Sequence, residues 1–339
     1  MIEIFMDESF WQYEKLKPDI SSVVVFSRQT FATHYRDIKN HVANGRYHAV
    51  LANPTEGSIT LKHQLIATDT LDLAREKKII LIGCGAMESG ISNLLYDAYL
   101  PKPYDYSENL LAAEQCSTVT YNKPYSFLYL NGRYRPHRNY LLQCLQREHL
   151  LDSALWTNLD STAMPVRTLP TEYEHPRYQQ NINCGETGFI KDSLFGGEWG
   201  EIYLHAKQYT DTYFSLVAET VFEYPYSLRS EKTYKPIAAG HPFVIAANSG
   251  FYRDLHRIGF RTFGHLIDES FDSVDNDETR LQRIADTVRD LCSSNLDEFQ
   301  VACAETTKYN QQHMADLGPR IRAEFPERFR DFIITNFNL

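Results

Sequence analysis

The sequence predicts an α/β protein of two domains, each built on a parallel β-sheet. Three observations predict it. Short runs rich in Val, Ile, Leu and Phe alternate with longer stretches at helical spacing, which is the rhythm of strand–helix–strand units. A glycine or an acid stands at the end of key runs, Gly83 after residues 79–82 and Glu219 after residues 213–218, where such sheets turn toward the next helix. And 339 residues are enough for two domains of ordinary size.

In chain order, residues 2–6 alternate with acids and read as a first strand ending at Asp7-Glu8. Residues 23–26 are a short β-branched strand, 31–42 a helix, and 47–52 another strand with its turn at 53–57. Residues 61–76 have helical spacing, and 79–82 are an apolar strand that runs into Gly83-Cys84-Gly85-Ala86-Met87-Glu88-Ser89-Gly90. The glycines at 83, 85 and 90 miss the GxGxxG spacing of a dinucleotide fingerprint, so the stretch reads as a tight turn. Residues 101–124 look like a connection between halves. A strand at 125–130 then leads through Asn131, Gly132 and three arginines (133, 135, 138) into an amphipathic helix at 139–149. Residues 157–212, rich in Asn, Thr, Pro, Tyr and Gly, are a long irregular excursion.

The chemistry concentrates in residues 213–263. A buried strand at 213–218 ends in Glu219. Arg229, Ser230, Glu231 and Lys232 open a helix that reaches residue 238, where Gly240 ends it and Pro242 prevents its resumption. A strand at 243–247, a turn at Gly250 and a helix at 251–258 closed by Gly259 follow. Residues 265–271 continue the α/β pattern, 275–291 are a helix with Leu281, Ile284 and Val288 on one face, and 299–339 are helical. In an open parallel sheet ligands bind beyond the carboxyl ends of the strands, where helix N-termini offer free N–H groups to a phosphate. Arg229 and Lys232 add charge-assisted bonds for a diphosphate, and a carboxylate beside them suits the two hydroxyls of a ribose. The Asn131-Gly132 turn, with Arg138 and then Arg135 as the phosphate contacts, is a second anion-cradling arrangement. A Glu-Lys pair by itself is usually a solvated face; the ordered set points to a nucleotide-sugar site.

FSLVAET followed by SEKTYKPIAAGHPFVI resembles the C-terminal donor-binding motif of GT-B glycosyltransferases, nearest to the α1,3-fucosyltransferase-like group and to bacteriophage glycosyltransferases of the DNA-modifying type. The resemblance covers the last half of the chain. It implies two Rossmann-like domains facing a cleft: an acceptor domain at residues 1–120, a nucleotide-sugar domain at 121–315, and a helical segment at 316–339 crossing back to the first. It associates Glu231 with the ribose and Lys232 with the phosphates, with Glu219 as the preceding acid. It also associates the arginine that opens the second domain, here Arg138, with the donor phosphates. The implied reaction moves a hexosyl or pentosyl group from a UDP- or GDP-linked donor without metal or cofactor. The implied acceptor is a hydroxymethyl-bearing DNA base of a phage, or alternatively a glycan or small molecule.

Composition bounds these readings. A hydrophobic share of 43% with 23% charged residues describes a globular chain, and no apolar run approaches the ~18–20 residues of a membrane span. The acidic N-terminal MIEIFMDESFW is unlike a signal peptide, so a cytoplasmic protein is expected, in the host cytoplasm if phage-encoded. The six cysteines have no zinc spacing, and the net charge of −10 argues against a broad nucleic-acid surface. Asp275-Asn276-Asp277 has DxD spacing, but N-capping accounts for it. A base is needed on the acceptor hydroxyl; Asp7 and Glu8 lead the candidates, with Glu56 and Glu88 behind. The rivals from other classes are a non-catalytic nucleotide-sugar-binding protein and a Rossmann oxidoreductase.

Overall fold

The computed structural model describes residues 3–5, 22–54, 57–105, 107–174 and 203–339. The expected bases Asp7, Glu8 and Glu56 lie outside the described residues. The chain is α/β and splits into two compact units. The first comprises residues 1–98, 223–228 and 318–339, and the second residues 99–222 and 229–317. The division falls at Ala98/Tyr99, where the sequence suggested residue 120, because residues 101–124 are more than a linker. They hold a 3-10 turn, Lys102–Tyr104, and a helix, α4 (Ser107–Cys116).

Among the described residues the first unit carries five parallel strands, β1 (Glu3–Phe5), β2 (Val23–Ser27), β3 (His48–Asn53), β4 (Ile79–Gly83) and β5 (Asn93–Leu95), in that spatial order. A straight strand order with right-handed crossovers sends every connecting helix to one face of the sheet. Those helices are α1 (Arg28–Ala43), α2 (Ser58–Ala67) and α3 (Leu71–Arg75). Period-two alternation then splits the strands. Ala49, Leu51, Ile79 and Leu81 pack with Phe31, Ile38, Leu61 and Leu65 of the helices. Val23, Val25, Val50, Ala52, Ile80 and Ile82 face the other way, onto Phe325, Phe329, Ile333 and Phe337. The chain's last residues therefore supply the layer that the topology leaves open. They belong to α10 (Leu296–Phe337), a helix of 42 residues with Pro319 and Pro326 inside it.

Local chemistry explains the boundaries. Ser27 caps α1 by accepting from Thr30 N at 3.1 Å. The single helix expected over 61–76 is two, because Asp69 takes φ +52 between them and the Thr68 hydroxyl turns back onto Gln64 O at 2.8 Å. Strand β5 is three residues long, too short to give a sequence signal.

Among the described residues the second unit has four parallel strands, β6 (Tyr125–Asn131), β7 (Ala154–Asn158), β8 (Thr212–Ala218) and β9 (Phe243–Ala246), in the order β7-β6-β8-β9. From β6 the chain goes through α5 (Pro136–Arg147) outward to β7. It then returns past α6 (Ala206–Thr210) to lay β8 against the opposite side of β6, before α7 (Glu231–Ala238), β9 and α8 (Phe251–Arg257). The order thus reverses between β6 and β8, a topological switch point. Residues 265–271 form no strand; a 3-10 turn at Ser270–Ser273 leads to α9 (Asp277–Cys292), capped by Asn276 accepting from Thr279 N at 2.9 Å. Gly240 and Gly259 have φ +64 and +93, and a Cβ on either would strike Gln311 or His313 of α10. These two glycines let α7 and α8 end directly against that helix.

Candidate functional site

The switch point brings the predicted donor residues to one edge. Asn131 is the last residue of β6, Gly132 follows it, and Arg135 stands at the N-cap of α5 with Arg138 in its first turn. Glu219 follows β8, and Ser230 caps α7, whose first residues are Glu231 and Lys232. All eight belong to the second unit.

Their roles differ. Glu219 is 0% exposed, and its carboxylate accepts from Thr220 N (3.0 Å), Ser230 N (2.9 Å), Ser230 Oγ (2.7 Å) and Thr233 Oγ1 (2.6 Å). Both oxygens are spent on the chain itself. This corrects the expectation that Glu219 contacts the donor: it is a positioning residue that ties the end of β8 to the start of α7. Arg229 is likewise enclosed, and its Nε donates to the Tyr234 hydroxyl at 3.2 Å.

Arg138 is different. It is buried, donating to Arg133 O at 3.2 Å and to Thr220 Oγ1 at 3.4 Å, while its Nε has no partner. No carboxylate among the described residues forms an ion pair with it. Burial pulls its pKa down, partly countered by nearby Tyr129, Glu219 and Glu231. Removing a guanidinium from water without a direct ion pair is expensive.

Glu231 is also buried. Lys232 engages its Oε1, and its Oε2 has no donor. Burial raises its pKa, but the Lys232 charge and hydrogen bond outweigh this and hold the carboxyl below its ordinary value. Lys232 itself keeps 28% of its side chain exposed. Arg135 donates to Tyr134 O at 3.1 Å. A Cβ on Gly132 would meet nothing within 4 Å, so the turn after β6 borders open space.

Several residues at this edge escaped the sequence reading. His137 stacks on Phe222, ring centroids 4.7 Å apart, and its Nε2 lies 2.9 Å from Glu219 O. A carbonyl partner requires Nε2–H to donate. Burial, reinforced by the charge of Arg138, depresses its pKa to about 3, so the ring is neutral. Arg280 covers Phe222, its guanidinium carbon 4.3 Å from the ring centre. It is fully engaged, by Ala247 O, Val274 O, Asp275 O and Asp277 Oδ1. Asn158 ends β7, and Asn248 stands two residues beyond β9. One signal could have found them: LYLN, LWTN and IAAN each finish an apolar run with asparagine.

A scan of known protein families finds no family model that matches this chain, and a search of curated proteins finds no match. The site is therefore read from its own chemistry.

At the corresponding edge of the first unit, ionisable groups satisfy one another. Lys62 Nζ lies 2.5 Å from Glu88 Oε2 and 2.7 Å from the Tyr226 hydroxyl, which donates to Glu88 at 2.8 Å. The glycines of GCGAMESG are spent on packing. A Cβ on Gly83 would collide with Ser58 Oγ, and one on Gly85 with Ser227 O. The stretch then runs into β5 instead of opening a helix. Neither feature suits a pyrophosphate, which leaves the oxidoreductase reading without its fingerprint. No helix among the described residues is long and apolar enough to cross a membrane.

Proposed function

We propose that this protein is a GT-B glycosyltransferase that binds a nucleoside-diphosphate sugar at the carboxyl edge of its second sheet. One observation carries the reading: at the switch point between β6 and β8 lies Arg138, a buried guanidinium with an unpartnered Nε and no ion-paired carboxylate among the described residues. Such a group is stabilised by an anion, and a switch point is where an open parallel sheet takes its ligand. Lys232 adds a second, more exposed charge. The unpaired Oε2 of Glu231 is an acceptor suited to a ribose hydroxyl.

In the proposed reaction the acceptor hydroxyl oxygen attacks the anomeric carbon, and the bond from that carbon to the diphosphate oxygen breaks. Negative charge grows on the departing diphosphate, where Arg138 and Lys232 stabilise it without a metal. The hydroxyl proton passes to a carboxylate, for which Asp7 and Glu8 are the proposed bases. The proposed acceptor is a hydroxymethyl-bearing DNA base, with a glycan or small molecule as the alternative outcome of the assay.

The test begins with a thermal-shift panel of UDP, GDP, CMP, their sugar conjugates and NAD(P), since a ligand that binds only the folded state raises the melting temperature. Radiolabelled donor is then offered with hydroxymethylated DNA and with oligosaccharides. A shift with one nucleoside diphosphate, and loss of turnover in Lys232→Ala, are expected. A shift with NAD(P) alone would overturn the proposal. Donor binding without hydrolysis or transfer to any acceptor would make the protein a nucleotide-sugar sensor.

A further inference from the structure

Two asparagine side chains at this edge have a fixed orientation and an unanswered oxygen. The amide nitrogen of Asn158 donates to three main-chain carbonyls, Asp160 O at 3.0 Å, Met164 O at 3.1 Å and Pro165 O at 3.0 Å. Turning that amide over would set an oxygen against three oxygens, so its Oδ1 must face Asn131. Asn131 donates to it from Nδ2 at 3.1 Å, which fixes the Asn131 amide in turn. Its own Oδ1 is left buried with no donor. On the other side of β8, Asn248 donates from Nδ2 to Ser249 O at 2.8 Å, and its Oδ1 is also buried with no donor. Asn131 and Asn248 are 4% and 2% exposed, so each unanswered acceptor carries a desolvation cost.

The strand order β7-β6-β8-β9 places Asn131 at the end of β6 and Asn248 beyond β9, with the end of β8 between them. At about 4.8 Å per strand, the two strand ends stand roughly 10 Å apart. With Glu231 Oε2, the edge holds three unpaired acceptors and, at Arg138 Nε, one unpaired donor. Bare pyrophosphate brings acceptors and anionic charge, and so answers only the arginine. A ligand that satisfies the whole set must also bring O–H or N–H groups on both sides of its anion.

We propose that Asn131 Oδ1 and Asn248 Oδ1 read hydrogen-bond donors of the ligand, so that the site selects an esterified diphosphate bearing hydroxyl and N–H groups over bare pyrophosphate. Asn158 is the positioning residue that aims Asn131. This selection rests on the anion-binding reading of the site given above. The four unpaired atoms have no exposed surface, so neighbouring side chains move aside as the ligand enters.

The test is calorimetric titration of the full chain with pyrophosphate, UDP, GDP and their sugar conjugates, on the wild type and on Asn131→Leu, Asn248→Leu and Asn248→Ala. The wild type is expected to bind one nucleotide or nucleotide sugar more tightly than pyrophosphate. Each substitution should weaken that nucleotide about five- to tenfold, the loss of one hydrogen bond, while pyrophosphate affinity stays at the wild-type value. Retained pyrophosphate binding shows that each variant is folded at the site. Nucleotide affinity unchanged in all three variants, or pyrophosphate bound as tightly as every nucleotide, overturns the selection and leaves the anion site standing. Failure of every anion, pyrophosphate included, to bind the wild type overturns the anion site and the selection with it.

Discussion

In the first unit the strands lie in chain order from β1 to β5, while in the second the chain starts in the middle, at β6, and lays strands on both sides of it. Sheets of similar composition therefore end in different carboxyl edges. At the first edge the charged groups are paired, Lys62 with Glu88 and both with the Tyr226 hydroxyl, Gly83 and Gly85 admit Ser58 and Ser227, and the atoms left unpaired there, Asn93 Oδ1 and Ser227 Oγ, are uncharged. A reversed order parts the connections at β6 and β8. There the second unit keeps a buried arginine without an ion-paired carboxylate among the described residues and three acceptors without donors. The difference between the two edges lies in charge: the first pairs its ionisable groups, and the second leaves atoms of Arg138 and Glu231 unpaired.

The comparison breaks most visibly at Glu219. Glu219→Ala strands four donors in the interior and should cost on the order of 3 kcal/mol or more in urea unfolding, with loss of all anion binding. A stable Glu219→Ala protein that still binds would show the clamp to be dispensable.

Arg138→Leu should do the opposite. Anion affinity is expected to fall about 10- to 100-fold, the worth of a charge-assisted bond. Stability should stay within about 1 kcal/mol of wild type, because a buried charge with no direct ion pair leaves with the side chain. A large drop in the melting temperature would mean that the arginine belongs to the fold.

Acid should weaken the second unit through His137 and His241, each held neutral by burial with a pKa of about 3. Between about pH 6.5 and 3 the unfolded histidines bind protons and the folded ones do not. Stability therefore falls with pH through that window, by up to about 1.4 kcal/mol per pH unit for each. Urea midpoints at pH 7, 6 and 5 measure the slope, and His241→Asn should flatten it. An unchanged midpoint from pH 7 to 5 would refute the neutral assignment.

The smallest effect is expected at the closed edge. Lys62→Met removes a surface-accessible pair, which contributes little, and should leave both the melting temperature and anion binding near their wild-type values. A marked loss of anion binding would mean that the first edge is not spent on itself.

Much of the candidate site was legible because its signals are local. Glu231 and Lys232 follow a capping serine, Gly240 ends the helix, and Arg138 follows Asn131-Gly132 by a few residues. The misreadings came where a role depends on distant partners. Glu219 reads as a ligand carboxylate until Ser230 and Thr233 are seen to saturate it, and Asp69 interrupts a helix whose spacing alone looks continuous.

The sequence by itself determined that this chain is α/β, with parallel strands, and where most helices start and stop. Periodicity and capping act within a few residues and are written in order along the chain. Only the tertiary structure decided that the second sheet reverses its order at β6, which face of the first sheet the final helix covers, and which polar atoms remain unpaired. Those outcomes depend on which residues meet across tens to hundreds of positions of chain, as Arg280 and Phe222 or Phe329 and Val25 are separated. Burial, not local sequence, sets the free-energy cost of a charge or an amide left without a partner.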